Sequence, residues 1–509
     1  MQPNKKFWGK VEYKICTTNR CVNLGNIENY NKHAGNVDKT FTMYPNGDHD
    51  RLAKLIADYV GCSKDKILIT HGSGNGLELI LRTYMEPHSK VFVKYPNYPG
   101  FIQSASLICN ITQDPDADCV YVSNPNLPLG YCIDHDSFLE KIKKNPKTLF
   151  IIDEAYYEYG KQRSFVEHTH LENVFVTRTF SKAFILAGAR IGYIITNKNN
   201  ISNLRVGYNA KDILNKSIES ACFVLENKQH YLNNVEEDLK SLKKIAKELE
   251  PIISTYTQIY DFSIKDVPWI LIYAIDTKYV CKEFESSGYV VRDKSNEIPN
   301  CIRITLGNTE MMKDVISIIK KINKIKIMYI DLDITLRKNY TTPIEQRLID
   351  AIDMQDAEVV ILTDNPYPKI SIKNKIITPL SSIDLITDNG DWFIYNNSVH
   401  VVRFPSITHE LVIALDKYKH MTVIETDDYI ESSEKGMYPN ISMPHIGKFL
   451  TMFSYPYKII GKSVLKVDGA NSIMIGDSEN DELFAKRNRM PFYKVKTSED
   501  TYDFLVNIL

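Results

Sequence analysis

Thr177-Arg-Thr-Phe-Ser-Lys-Ala-Phe-Ile-Leu-Ala-Gly-Ala-Arg-Ile-Gly-Tyr193 decides how the first two-thirds of this chain reads. Lys182 is the residue type that forms a Schiff base with a carbonyl cofactor. It is flanked by hydroxyls at Thr179 and Ser181 and by a guanidinium at Arg190. That set suits an aldehyde carrying a phosphate. A Ser-Lys pair alone is most often solvated surface, so the rest of the constellation has to come from elsewhere in the chain.

Upstream, residues 1–45 read as a polar, turn-rich arm. An amphipathic helix follows from Asp48 to Tyr59, with Leu52, Leu55, Ile56 and Tyr59 at helical spacing and Gly61 just past its end. Lys66-Ile-Leu-Ile-Thr70 predicts a short strand leading into His71-Gly-Ser-Gly-Asn-Gly76 and a second helix with Leu77, Ile80, Leu81 and Tyr84 on one face. Strand, glycine turn and helix start place free N–H groups and the positive end of a helix dipole where a phosphate can sit; the bland reading is a plain glycine turn.

Three more apolar strands end in polar residues: Val91 to Tyr98, Cys119 to Gly130, and Phe150 to Tyr156. In open α/β sheets that edge is where ligands bind. Tyr98 is free to stack on a flat ring or to join the core. Asp153 can accept a hydrogen bond from a protonated ring nitrogen and so keep the ring cationic, and Asn126 and Tyr156 can bond a ring hydroxyl, although Asn and Asp at strand ends also simply close turns.

A chain of 509 residues exceeds what one hydrophobic core serves, so two or more domains are expected. Basic and acidic residues nearly cancel, 62 against 63, so no net field favours nucleic acid or an anionic membrane. The start lacks a long apolar core and no apolar run is long enough to span a bilayer, which makes a cytoplasmic location the expectation. The nine cysteines lie between Cys16 and Cys301 without a Cys-x-x-Cys pair, which argues against a disulfide framework or a zinc site.

With these residues in place, the stretch from about 20 to 322 resembles a fold-type-I pyridoxal-phosphate enzyme of the class I/II aminotransferases, most like the histidinol-phosphate aminotransferase branch. Its carriers are Tyr44-Pro45, Gly72-Ser-Gly-Asn75, Pro96-Asn-Tyr98, Asn124-Pro-Asn-Leu-Pro-Leu-Gly130, Asp153-Glu-Ala-Tyr156, Thr177 to Phe184, Ala187-Gly-Ala-Arg190 and Cys301-Ile-Arg-Ile-Thr-Leu-Gly307. The resemblance implies an α/β fold, with a large domain on a mixed, mainly parallel sheet and a small α/β domain over about 220–322. Lys182 would carry the pyridoxal 5'-phosphate and shuttle the substrate's proton. Asp153 would pair with the pyridinium, Tyr98 stack on the ring, and Asn126 and Tyr156 bond its phenolic oxygen. Ser73 and Gly74, with Asn75 beside them, would hold the phosphate together with Thr179, Ser181 and Arg190. Tyr44 would reach the neighbouring subunit's phosphate, implying a homodimer. Arg303 and Arg292 match arginines that clamp the substrate. Leucines at 127 and 129 and Pro268-Trp-Ile270 depart from the family pattern, so the cofactor residues match better than the substrate residues.

The last third opens with Lys326-Ile-Met-Tyr-Ile-Asp-Leu-Asp-Ile-Thr-Leu336, a strand ending in two carboxylates that can divide attack on phosphorus from protonation of the leaving oxygen. Glu358 to Thr363 is a second strand ending in a hydroxyl, and Ser472 to Asp481 a third ending in an acidic loop fit for Mg²⁺. Together they resemble the haloacid dehalogenase superfamily over 326–509, a Rossmann-like domain with a small cap at about 384–440. The resemblance makes Asp331 the nucleophile, Asp333 the acid/base and Thr363 a phosphoryl-oxygen donor, with Asp331, Asp333, Asp477 and Asp481 around the metal. The superfamily's lysine has candidates at Lys448, Lys462 and Lys466. No flexible linker separates 322 from 326, so the two parts should be held together.

The expectation is a bifunctional enzyme. A small phosphorylated ketone receives an amino group, with glutamate the expected donor, and the second domain then removes phosphate. The alternatives are a decarboxylase of a phosphorylated amino acid, and a last third that is an independent phosphatase or a non-catalytic module.

Overall fold

The computed structural model describes residue 45, residues 49–331, 334–336, 338, 345–362 and 469–507, and the backbone of four short strands between 392 and 459. By contacts the chain divides into one unit of Met1–Ala246 with Ser263–Leu271, and a second of Lys247–Phe262 with Ile272–Leu509. The sequence boundary at 322–326 falls inside the second unit.

In the first unit, helix α1 (Asp50–Val60) buries Leu52, Ile56 and Ala57 and stops at Gly61, whose φ of 73° lets its N–H reach back to Ala57 O. Strand β1 (Ile67–Thr70) runs straight into helix α2 (Gly72–Tyr84). The glycine turn is therefore itself the first turn of the helix, five residues earlier than the apolar spacing suggested. Next come β2 (Lys90–Val93), α3 (Pro99–Ser106), β3 (Asn110–Thr112), β4 (Cys119–Ser123), α4 (His135–Lys144), β5 (Leu149–Asp153), β6 (Val174–Thr179) and β7 (Gly192–Ile195).

These strands form a seven-stranded sheet in the order β1–β7–β6–β5–β4–β2–β3. β2 through β6 pair in parallel, and β7 runs antiparallel to both β6 and β1. Strands covered on both faces have to be apolar throughout, and every residue of β5 and β6 is buried. The two-residue alternation sends Phe150, Ile152, Val174 and Val176 to one core and Leu149, Ile151 and Phe175 to the other. The start of α2 packs close to β7 because Gly192 has no side chain: a Cβ there would lie 2.4 Å from Ser73 N.

Further along the chain, β8 (Ile259–Ile264), β9 (Trp269–Ala274), β10 (Arg292–Asp293) and β11 (Cys301–Thr305) form a sheet ordered β10–β11–β9–β8. The helix Thr309–Asn323 then delivers β12 (Ile327–Asp331), which pairs in parallel with β13 (Glu358–Leu362). Four short strands, β14 (Trp392–Tyr395), β15 (Ser398–Val401), β16 (Val423–Glu425) and β17 (Tyr457–Ile459), make a sheet of their own. β18 (Ser472–Gly476) and β19 (Phe492–Lys494) complete the parallel order β13–β12–β18–β19. Its core gathers Met328, Tyr329, Ile330, Ile473, Met474, Ile475, Phe484 and Phe504.

The junction is fastened. Asn471 Nδ2 donates to Lys321 O and Ile322 O at 3.0 and 2.7 Å, and Tyr256 sets its ring edge-on against Tyr493 and Phe504. Among the described residues, no helix is long and apolar enough to cross a membrane.

Candidate active site

In the first unit an open cleft of about 140 Å³ lies at the carboxyl edge of the large sheet. It is lined by Ser73, Gly74, Tyr98, Ser123, Pro125, Leu127, Asp153, Ala155, Tyr156, Thr179, Ser181, Lys182 and Arg190. Nine of these were singled out from the sequence as cofactor or catalytic residues, and they come from five separate segments. The topology explains the convergence: parallel β4, β5 and β6 all end here, and α2 begins here.

Asp153 ends β5 and is 5% exposed. Oδ2 accepts from Tyr121 OH at 3.0 Å, and Oδ1 from Thr177 Oγ1 at 3.1 Å and Ala155 N at 3.2 Å. Burial nevertheless pushes its carboxyl up to about 6, with those three bonds and the Lys182 charge pulling the other way. A carboxylate held at such cost is matched to a cation on its open side. Tyr121, which orients it, is stacked on Phe101 at 3.6 Å between ring centroids.

The phosphate end of the cleft is built from backbone. No side chain caps α2, so the N–H groups of its first turn point outward with the dipole behind them. Gly72 has φ +77°, and a Cβ on it would lie 2.9 Å from Arg190 Nη2, so the guanidinium closes over the turn only because residue 72 is glycine. Thr179 Oγ1 donates to Ser181 Oγ at 3.0 Å and accepts from Ser181 N at 3.1 Å, which sets both hydroxyls at the cleft wall. Helix N–H groups, two hydroxyls and a guanidinium gathered at one end of a cleft are the donors a phosphate dianion takes. The site therefore fits pyridoxal phosphate at both its ring nitrogen and its phosphate.

Lys182 is exposed to the cleft, its Nζ 5.0 Å from the centroid of the Tyr156 ring. Ile185, three residues on, sits at φ 53° and its N–H bonds Lys182 O at 2.9 Å. A β-branched residue in that region is strained, and the strain falls in the loop that presents the lysine. Tyr156 is in turn edge-on to Trp269 at 4.8 Å, and Trp269 Nε1 bonds Pro128 O at 2.7 Å.

Two of the proposed cofactor residues are not at the cleft wall. Asn75 Oδ1 accepts from His71 N at 3.3 Å, closing its own turn. Asn126 is buried, donating to Pro96 O at 3.2 Å and accepting from Leu129 N at 3.0 Å. Tyr44 lies outside the described residues. In the second unit, Arg292 and Arg303 are directly paired across β10 and β11.

Sequence reasoning passed over Ser123, whose Oγ bonds Asn97 Oδ1 at 2.6 Å and accepts from Leu127 N at 3.1 Å. It also missed the support behind the cleft. Glu154 and Arg178 form a buried pair, with Nε and Nη2 at 2.9 and 2.8 Å from Oε2, on the opposite faces of β5 and β6 from Asp153 and Thr177. Charged residues alternating with Asp153, Thr177 and Thr179 were the available signal.

The second cluster is acidic. Asp331 at the end of β12, Asp477 just after β18, and Asp481 in the helix Glu479–Arg487 bring carboxylate oxygens within 4.8 Å of one another. Asp481 Oδ2 is held by Ser478 N and Oγ at 3.1 and 2.6 Å, a reciprocal cap that aims the carboxylate along the strand edge. Three carboxylates converging at a strand edge fit a hard, oxygen-seeking cation such as Mg²⁺. Asp333, Thr363, the cap span 384–440 apart from the strands named above, and Lys448, Lys462 and Lys466 lie outside the described residues.

A family profile described as aminotransferase class I and II matches residues 27–109 and 105–319. A histidinol-phosphate aminotransferase from Buchnera aphidicola subsp. Melaphis rhois is 28% identical over 315 residues, covering 55% of this chain and 85% of its own. A dihydroxyacetone phosphate transaminase from Campylobacter jejuni is 28% identical over 309 residues, covering 57% of this chain and 84% of its own. The crystal structure of the histidinol-phosphate aminotransferase from Clostridium acetobutylicum superposes with a TM-score of 0.49 at 22% identity, over 57% of this chain and 94% of that one.

Proposed function

We propose that this chain, which belongs to the class I and II aminotransferase family of pyridoxal-phosphate enzymes, moves an amino group from a donor such as glutamate to a small phosphorylated ketone. The observation that carries the reading is one cleft lined by Lys182, Asp153 and a phosphate-shaped end. Pyridoxal phosphate, when bound, supplies an aldehyde that takes up the amino group and a ring that withdraws electrons. Asp153 keeps the proton on the ring nitrogen, and Lys182 Nζ takes the proton from the donor's α-carbon and returns it to the acceptor's. Tyr98 and Tyr156 limit the ring's movement. The paired Arg292 and Arg303 suit a carboxylate or a phosphate on the substrate. Relatives named for histidinol phosphate and dihydroxyacetone phosphate both point to a phosphorylated substrate. Dihydroxyacetone phosphate itself is the first acceptor to try. A homodimer is part of the proposal.

The last third is proposed to hydrolyse the phosphomonoester so formed. Asp331 would attack phosphorus and Asp333 protonate the leaving oxygen, with Asp331, Asp477 and Asp481 holding Mg²⁺, which would neutralise phosphoryl charge. The acidic cluster at the carboxyl edge of a parallel sheet supports this.

The test of the first activity is the half-reaction. Glutamate added to the cofactor-loaded protein should change the cofactor's visible absorbance and release one 2-oxoglutarate per chain, and Lys182→Ala should do neither. Full 2-oxoglutarate release by Lys182→Ala would remove the lysine from the mechanism.

A further inference from the structure

On the first unit, away from the residues lining the cleft, His135, Glu167 and His168 bring Nε2, a carboxylate oxygen and Nε2 within 4.8 Å of one another. His135 opens α4, behind the capping Asp134, whose Oδ1 accepts from Ser137 N at 2.9 Å. Glu167 and His168 sit in the single helical turn Phe165–His168. That turn is fixed from below: Glu154 Oε1 accepts from Phe165 N at 2.9 Å, and Ser164 Oγ bonds both Glu154 and Arg178. Its own ring stacking fixes His135 against Phe165, with centroids 4.5 Å apart.

The distances are those of a coordination shell. His135 Nε2 and His168 Nε2 lie 3.4 and 3.3 Å from the same atom, Glu167 Oε1. Ligands about 2.05 Å from a tetrahedral zinc ion stand about 3.3 Å from each other. Both Nε2 atoms are buried and neither makes a hydrogen bond, which for two imidazoles aimed at one point is otherwise a wasted pair of polar atoms. The tautomer is also set. His135 Nδ1 faces Asp136 Oδ1 at 3.2 Å, so the proton sits on Nδ1 and the Nε2 lone pair faces inward, the carboxylate–histidine arrangement that supports metal ligands.

We propose that His135, Glu167 and His168 form a structural site for a zinc-type divalent cation, with solvent in the fourth position. The cysteine pattern gave no sign of it because no cysteine takes part. Glu167 Oε1 is held by Arg163, through Nε at 3.1 Å and Nη2 at 2.7 Å. That guanidinium is 58% exposed and also reaches Asp136 at 3.2 Å, so it can swing aside on the Asp136 contact when the cation enters.

The experiment is calorimetric titration of Zn²⁺ into the tag-free, cofactor-loaded full chain at pH 7, with circular dichroism of every variant as a fold control. One tight site per chain is expected. His135→Gln and His168→Gln should each weaken it at least tenfold, Asp331→Asn should leave it unchanged, and Arg163→Ala should tighten it severalfold by removing the competing cation. Zinc binding that survives both histidine substitutions, or that vanishes with Asp331→Asn, would overturn the assignment. Should a histidine variant fail to fold, the exposed Arg163→Ala still decides: unchanged affinity sinks the proposal.

Discussion

Asp153→Asn should stabilise the cofactor-free protein while disabling the cofactor-loaded one. The carboxyl is buried, and its burial moves it from 3.8 to about 6. That rise corresponds to about 3 kcal/mol at pH 7 spent on keeping it ionised without a cation beside it. The sign follows from proton counting. Between 3.8 and about 6 the folded chain holds a proton that the unfolded chain has released, so stability falls as pH rises through that window and is level above it. Asparagine removes the charge and keeps the geometry: Oδ1 still accepts from Thr177 and Ala155, and Tyr121 OH can turn to accept from the new Nδ2. Melting of cofactor-free wild type and variant should therefore differ by several degrees at pH 7, in favour of the variant, and converge as the pH approaches 4. With pyridoxal phosphate bound the order should reverse, and turnover should fall at least a hundredfold because nothing holds the ring proton. A difference in cofactor-free stability that does not change with pH would refute the reasoning.

Gly72→Ala, placing a Cβ at φ +77° and 2.9 Å from Arg190 Nη2, should weaken pyridoxal-phosphate binding about tenfold, or roughly 1.4 kcal/mol, read by absorbance titration. Glu154→Gln removes the carboxylate bonded to the buried Arg178, leaving only the more distant Glu158 to offset its charge, and should cost about 3 kcal/mol, seen as a lower melting temperature. It should also reduce zinc uptake, since Glu154 anchors the turn that carries Glu167 and His168. Asp331→Asn should abolish phosphate release and leave amino transfer intact, followed by separate assays of 2-oxoglutarate and inorganic phosphate.

Much of the cleft was legible because strand ends and a glycine turn leave local marks. Apolar runs such as Phe150-Ile-Ile stop at a polar residue, and the topology of a parallel sheet sends all such stops to one edge. Side-chain direction was not legible. Asn75 and Asn126 lie in the right segments, yet their amides close their own loops, a choice made by turn geometry that spacing does not reveal. Antiparallel β7 also went unread, since four residues after a loop carry too little periodicity to show which way they pair. The His135, Glu167 and His168 cluster joins residues more than thirty positions apart through a tertiary contact with Phe165, and no local pattern encodes that. The contact-defined units rest on ties of the same kind. Tyr256 and Asn471 fasten segments that are distant in sequence into one unit, and a boundary drawn from a change in motif does not see them.

The most direct test of the central claim is phosphorus NMR of the full chain with pyridoxal phosphate, Mg²⁺ and dihydroxyacetone phosphate, recorded with and without glutamate. The account predicts a new phosphomonoester resonance that needs glutamate and Lys182, followed by inorganic phosphate that needs Asp331. Failure to convert dihydroxyacetone phosphate or any other phosphorylated ketone with glutamate present, in a chain that binds the cofactor, would contradict it.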